Sequence, residues 1–167
     1  MMKYSLVFVA VAVFVITAGA VSANQMQGQA GPAYVTEVAS GSGCADVEEH
    51  NTCPHCGMDR EKYAQLRMLI TYSDGSSVGV CSIHCLVTEL KVNKGKPVKS
   101  VEVADLYTKR LIDAKKATWV IGGNKKGVMA RTAKWAFAKK DDAAAFAAKN
   151  GGTVATYKEA LASAEKE

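Results

Sequence analysis

Beyond Cys85 the chain has no cysteine, and its only prolines are at 32, 54 and 97. After the apolar run at residues 6–18, no segment is apolar enough to span a bilayer. No cysteine directly follows that run, as lipid attachment would require; the first is Cys44, behind Ser40-Gly41-Ser42-Gly43. Cys-x-x-Cys-His is missing too: Gly57 follows Cys56 and Leu86 follows Cys85, which excludes covalent haem. Nothing resembles a nucleic-acid-binding motif. The thiol chemistry is therefore confined to one part of the chain.

The start of the chain reads as an export signal. Lys3 supplies a positive start, residues 6–18 are apolar apart from Thr17, and Val21-Ser22-Ala23 offers small residues for cleavage. We expect a signal peptide over 1–23 and a soluble periplasmic product without a lipid anchor. Export places the five cysteines in an oxidising compartment, where disulfides are the default. Five is odd, so at least one thiol is left over, metal-bound or paired between chains.

The net charge of +5 is unevenly spread. Residues 37–90 hold eight acids against three bases, whereas residues 91–140 hold fourteen bases against three acids. The basic stretch suits an acidic protein partner or an anionic membrane surface, or is a solvated lysine face.

Residues 24–50 are rich in Gly, Ser, Gln and Ala without periodicity and read as a flexible tether. The remainder divides into two halves, 51–104 and 105–167. In the first we expect strands at 65–72 and 77–81 around the turn Ser73-Asp74-Gly75-Ser76. A helix at 82–92 with Ser82 as N-cap and a strand at 98–103 follow. In the second we expect strands at 117–121 and 134–138, a helix at 141–149 closed by Gly151-Gly152, and a strand at 153–157. The fold class is thus α+β, two consecutive ββαβ units with a treble-clef-like thiolate site in the first. Trp119 and Trp135 fall on second-half strands as core anchors.

Two segments carry chemistry. Cys53-Pro54-His55-Cys56 is a knuckle whose tight turn can aim two thiolates at one centre. Cys81 and Cys85 lie four residues apart at a strand end and in the first turn of a helix, so they share a face. Such a knuckle followed by a helix-start pair suits a tetrahedral thiolate metal site. Structural zinc needs only this spacing; Cu(I) would use two or three soft sulfur ligands and leave exchange possible, in a shallow, partly exposed site. His55 and His84 are possible additional ligands. A redox alternative also exists, because Pro-His between cysteines matches strongly oxidising disulfide-exchange enzymes. No βαβ unit precedes the motif, no long helix follows it, and Pro97 is the only later proline, so a thioredoxin domain does not fit. Met58 and Met129 are thioethers that Cu(I) would accept, or core fillers.

In Cys53-Pro54-His55-Cys56-Gly57-Met58, Tyr72-Ser73-Asp74-Gly75 and Cys81-Ser82-Ile83-His84-Cys85, the chain resembles the NosL family. Asp105-Leu106-Tyr107-Thr108, Ile112-Asp113-Ala114, Val120-Ile121-Gly122, Met129 and Gly151-Gly152 continue the likeness. The resemblance implies one Cu(I) held by sulfur ligands. It also implies a periplasmic or membrane-tethered accessory protein that delivers copper to a cuproenzyme, chiefly nitrous oxide reductase, with that enzyme or its assembly factors as partner. It implies a binding role rather than catalysis, and it places the family's turn methionine on Met129. The chain lacks, at its mature start, the family's common anchor cysteine, which helps bind copper; Cys44 in the tether is a possible additional ligand in its stead.

Overall fold

The computed structural model describes residues 45–167; the expected export signal, residues 24–44 of the tether and Cys44 lie outside the described residues. Where description begins, the chain is already folded. Ala45–Glu49 is a short helix, α1, with Val47 buried, so the tether expected to reach residue 50 does not. Five residues are too few to show a helical period. What fixes them is Asp46, which accepts from Arg60 Nη2 at 2.8 Å and from Arg67 Nη2 at 2.9 Å. Arg60 further donates to the carbonyls of Met68, Val80 and His50, and Arg67 to those of Ala64 and Lys109. Both guanidiniums are fully buried, and each is matched by a carboxylate and carbonyls.

After a single 3₁₀ turn at Ala64–Leu66, β1 (Met68–Tyr72) and β2 (Ser77–Val80) form an antiparallel hairpin. Alternate residues of β1 are buried, the pattern of a strand with one face on a core. Helix α2 (Ile83–Val92) follows and β3 (Val98–Ala104) returns antiparallel to β1. Then β4 (Leu111–Asp113) pairs with β3, giving the sheet order β2-β1-β3-β4. A second antiparallel sheet, β6-β5-β7, uses β5 (Thr118–Ile121), β6 (Lys134–Phe137) and β7 (Thr153–Ala155), with α3 (Lys140–Asn150) between β6 and β7. Gly151, at φ +74°, ends α3. The last element, α4 (Tyr157–Glu165), begins at a capping box formed by Thr156 and Glu159.

The α+β class therefore holds, and strand–strand–helix–strand order occurs in each half. The halves nevertheless differ in what is added to that order. β4, which is not among the strands expected from the sequence, lies past residue 105 yet completes the first sheet, and the strand expected at 153–157 stops at Ala155 because Thr156 caps α4. Nor does each half keep its own core. One buried cluster joins Met68, Ile70, Leu86 and Val103 with Trp119, Ala136, Ala160 and Ala164. Trp119 is anchored there by donating Nε1–H to the Ala114 carbonyl at 3.0 Å. A smaller cluster gathers Trp135, Phe137 and Phe146 with Leu66 and Val120. Among the described residues no helix is long and apolar enough to cross a membrane.

Candidate metal centre

Residues 52–59 form a small loop of their own. Cys53 N–H donates to the Met58 carbonyl and Gly57 N–H to the Cys53 carbonyl, each at 2.9 Å, while Thr52 and Asp59 bridge at its base. Gly57 sits at φ +70°, a conformation that a side chain would strain. This closure turns Cys53 and Cys56 the same way. Arg60, just past the loop, ties it to β2 through the Val80 carbonyl. Gly79 leaves room there, since a Cβ at that position would collide with the Arg60 guanidinium.

The second pair arrives from β2 and α2. Cys81 follows β2 directly, Ser82 is the extended N-cap residue, and Cys85 lies in the first helical turn. Ser82 makes no side-chain cap hydrogen bond; its Oγ lies 3.8 Å from Cys81 Sγ instead.

The four sulfurs converge. Cys53, Cys56, Cys81 and Cys85 place their Sγ atoms within 4.8 Å of one another. Cys81 Sγ lies 3.4 Å from Cys56 Sγ and 3.6 Å from Cys85 Sγ. Four sulfurs about 2.3 Å from a central ion would be roughly 3.8 Å apart, so a tetrahedral ion fits with small shifts of the sulfurs. The four thiols are free rather than paired in disulfides. Cys53, Cys81 and Cys85 are each no more than 1 % exposed, and only Cys56 is partly accessible. The shallow site expected for exchangeable copper is thus mostly buried, because the pair on β2 and α2 is also part of the core.

Electrostatics single out Cys81. The hydrogen bond it shares with Cys85 lowers its pKa to about 5 against the opposing effect of burial, with further help from Cys56 and Ser82. Burial pushes Cys56 up to about 11, partly offset by the Met58 backbone N–H. Cys85 is raised further by its hydrogen bond with Cys81 and by burial. Without a cation, Cys81 favours the thiolate while Cys56 and Cys85 hold their protons. That is the electrostatic condition of a site that wants positive charge.

The other sequence candidates separate. Met58 packs with Cys56 against the core containing the remaining cysteines. Met129 is 44 % exposed, with its backbone at φ 53°. Its neighbours Val128 and Ala130 line a small cavity with Ser82 and Ile83, so its loop lies against the start of α2. His84 and His55 both fall outside the four-sulfur group. His55 Nε2 is instead bonded to Glu89 Oε2 at 2.7 Å. Glu89, with 4 % exposure, also accepts from the Tyr72 hydroxyl at 2.5 Å and from Asn93 Nδ2 at 2.8 Å. Sequence reasoning missed this network. The signal was present, since Cys85, Glu89 and Asn93 recur every fourth residue along the helix and its C-cap.

Comparison with known proteins adds a family and a fold. The NosL family model matches residues 44–164. The crystal structure of the copper chaperone NosL from Shewanella denitrificans is similar at 24 % identity and a TM-score of 0.51, covering 65 % of this chain and 87 % of that one. The solution structure of apo-NosL from Achromobacter cycloclastes is 23 % identical with a TM-score of 0.37, covering 55 % and 82 %. No curated protein matches the chain.

Proposed function

Because the chain belongs to the NosL family, we propose that it is a periplasmic Cu(I)-binding accessory protein that supplies copper to a cuproenzyme such as nitrous oxide reductase. It acts by holding and handing over an ion, not by catalysis. The observation that carries this reading is the convergence of four sulfurs from two distant segments within 4.8 Å. Thiolates are soft ligands that suit Cu(I), and their flexible number of contacts suits transfer by ligand exchange. Cys53, Cys56, Cys81 and Cys85 are the ligands in this reading. Met58 beside Cys56 and the exposed Met129 are the thioethers a Cu(I) centre could recruit, and a zinc centre would ignore them. The fold of the Shewanella denitrificans copper chaperone is in keeping with this role. Exposed lysines of the basic stretch, among them Lys91, Lys94, Lys99, Lys125 and Lys126, would draw an acidic acceptor.

One observation favours a second reading. Three of the four cysteines are buried, which is the character of a closed structural zinc site. Anaerobic titration separates the two. Under the copper reading the full chain binds about one Cu(I) tightly enough to compete with a colourless chelator, and Cu(I) displaces bound Zn²⁺. Replacing Cys81 and Cys85 together by Ser removes that affinity. Unchanged affinity in the double variant would sink the site assignment, and zinc that copper cannot displace would favour the structural reading.

A further inference from the structure

Between the two cysteine pairs there is one strong polar contact that is not sulfur. His55 lies inside the knuckle, flanked by Pro54 and Cys56, and its Nε2 is 2.7 Å from Glu89 Oε2 on α2. Glu89 lies one helical turn beyond Cys85, on the same face of the same helix. The thiols themselves hold the pairs together poorly, because S–H is a weak donor and sulfur a weak acceptor. A buried carboxylate is a much stronger acceptor, and its bond gains further from the surrounding low dielectric. Glu89 does not move freely either: Tyr72 on β1 and Asn93 at the end of α2 both donate to its Oε1. One carboxylate therefore joins β1, α2 and the knuckle.

From this geometry we infer that Glu89 is a positioning residue for the metal centre, acting through His55. Resting on the metal-binding reading above, the inference adds what prepares the site before the ion arrives. The Glu89–His55 bond docks the knuckle on α2, so Cys53 and Cys56 already face Cys81 and Cys85. It also keeps the imidazole engaged away from the ion, which leaves an all-sulfur donor set. Tyr72 and Asn93 orient the carboxylate but do not touch the knuckle. Their role is to hold Glu89 in place.

The test uses anaerobic Co²⁺ binding by the full chain, because thiolate-to-cobalt absorption reports the number of sulfur ligands, followed by Cu(I) competition. Outer residues that orient metal ligands typically alter affinity by about 10- to 100-fold on removal. Glu89→Ala and His55→Ala should each weaken Co²⁺ binding by about that factor and lower the sulfur absorption per cobalt. The double variant should lose little more than either single one, since both remove the same contact. Glu89→Gln can keep its amide oxygen for Tyr72 and Asn93 and donate its NH2 to His55 Nε2, and should restore part of the affinity. A purely structural Glu89 would leave His55→Ala silent, and that result overturns the inference. His55→Ala is decisive even if Glu89→Ala does not fold, because that histidine is not part of the buried core. A wild-type chain with no thiolate-to-cobalt absorption would overturn the metal-binding reading as well, whereas wild-type binding with unaffected variants overturns only the role of Glu89.

Discussion

Loading the four-sulfur centre should release at least two protons per ion near neutral pH. The magnitude follows from the thiols as they stand without metal. Cys81, at about 5, is already ionised and has no proton to give. Cys56, at about 11, and Cys85, raised further, are both protonated. A metal binds the thiolate, so coordination by these two must expel both protons. Affinity then rises about 100-fold per pH unit across the neutral range, or roughly tenfold per proton. As pH falls through about 5, Cys81 also takes up a proton and the dependence steepens. A two-coordinate ion held by Cys81 and one neighbour would instead release a single proton, giving only about a tenfold change per unit. Calorimetric titration in buffers of differing ionisation heat counts the protons directly, with Cu(I) and Zn²⁺ as separate probes. A count of one or fewer refutes coordination by three or more thiolates and the pKa ordering behind it.

Two further predictions concern exchange and the frame. Cys56 is the accessible member of the four and the natural point of attack for an incoming acceptor ligand. Cys56→Ser should therefore slow stopped-flow transfer of Cu(I) to a thiol chelator more than Cys85→Ser does at matched occupancy, and equal rates would contradict that route. Asp46→Ala leaves Arg60 and Arg67 buried without their carboxylate and should cost about 3–5 kcal/mol in denaturant unfolding. Burial raises the Asp46 pKa, but the hydrogen bond and charge of Arg67, together with Arg60, lower it on balance. Its stabilisation is therefore complete above the ordinary aspartate range and is lost as pH falls through the depressed value. An unfolding free energy in Asp46→Ala that keeps the wild-type acid dependence would be evidence against this frame.

What the sequence made legible were the features with a period or a fixed spacing. The alternation in β1, the helix after Ser82 and the glycine stop after α3 could all be read directly, as could the two cysteine pairs. Short or small-residue elements could not. β4 is three residues long and exists through its pairing with β3. In α4 the buried residues are Ala160 and Ala164, which give little hydrophobic signal, although Thr156 and Glu159 already spelled a capping box. The buried charges were the least visible. Nothing local distinguishes Arg60 or Arg67 from a surface arginine, because the Asp46 carboxylate that justifies their burial lies on another element.

The half of the chain without cysteine belongs to the four-sulfur cluster all the same. Cys53, Cys81 and Cys85 lie in one buried cluster with Trp119 from β5, Ala136 from β6, and Ala160 and Ala164 from α4. A helix face of alanines lets a neighbour approach closely, and α4 packs against α2, the helix that carries Cys85 and Glu89. A thiolate pair is only as well aimed as the backbone beneath it. The backbone here is held from one side by the knuckle and its Arg60 anchor, and from the other by β5 and α4. The four thiols come from one half of the sequence, while packing from the other half keeps those sulfurs converged.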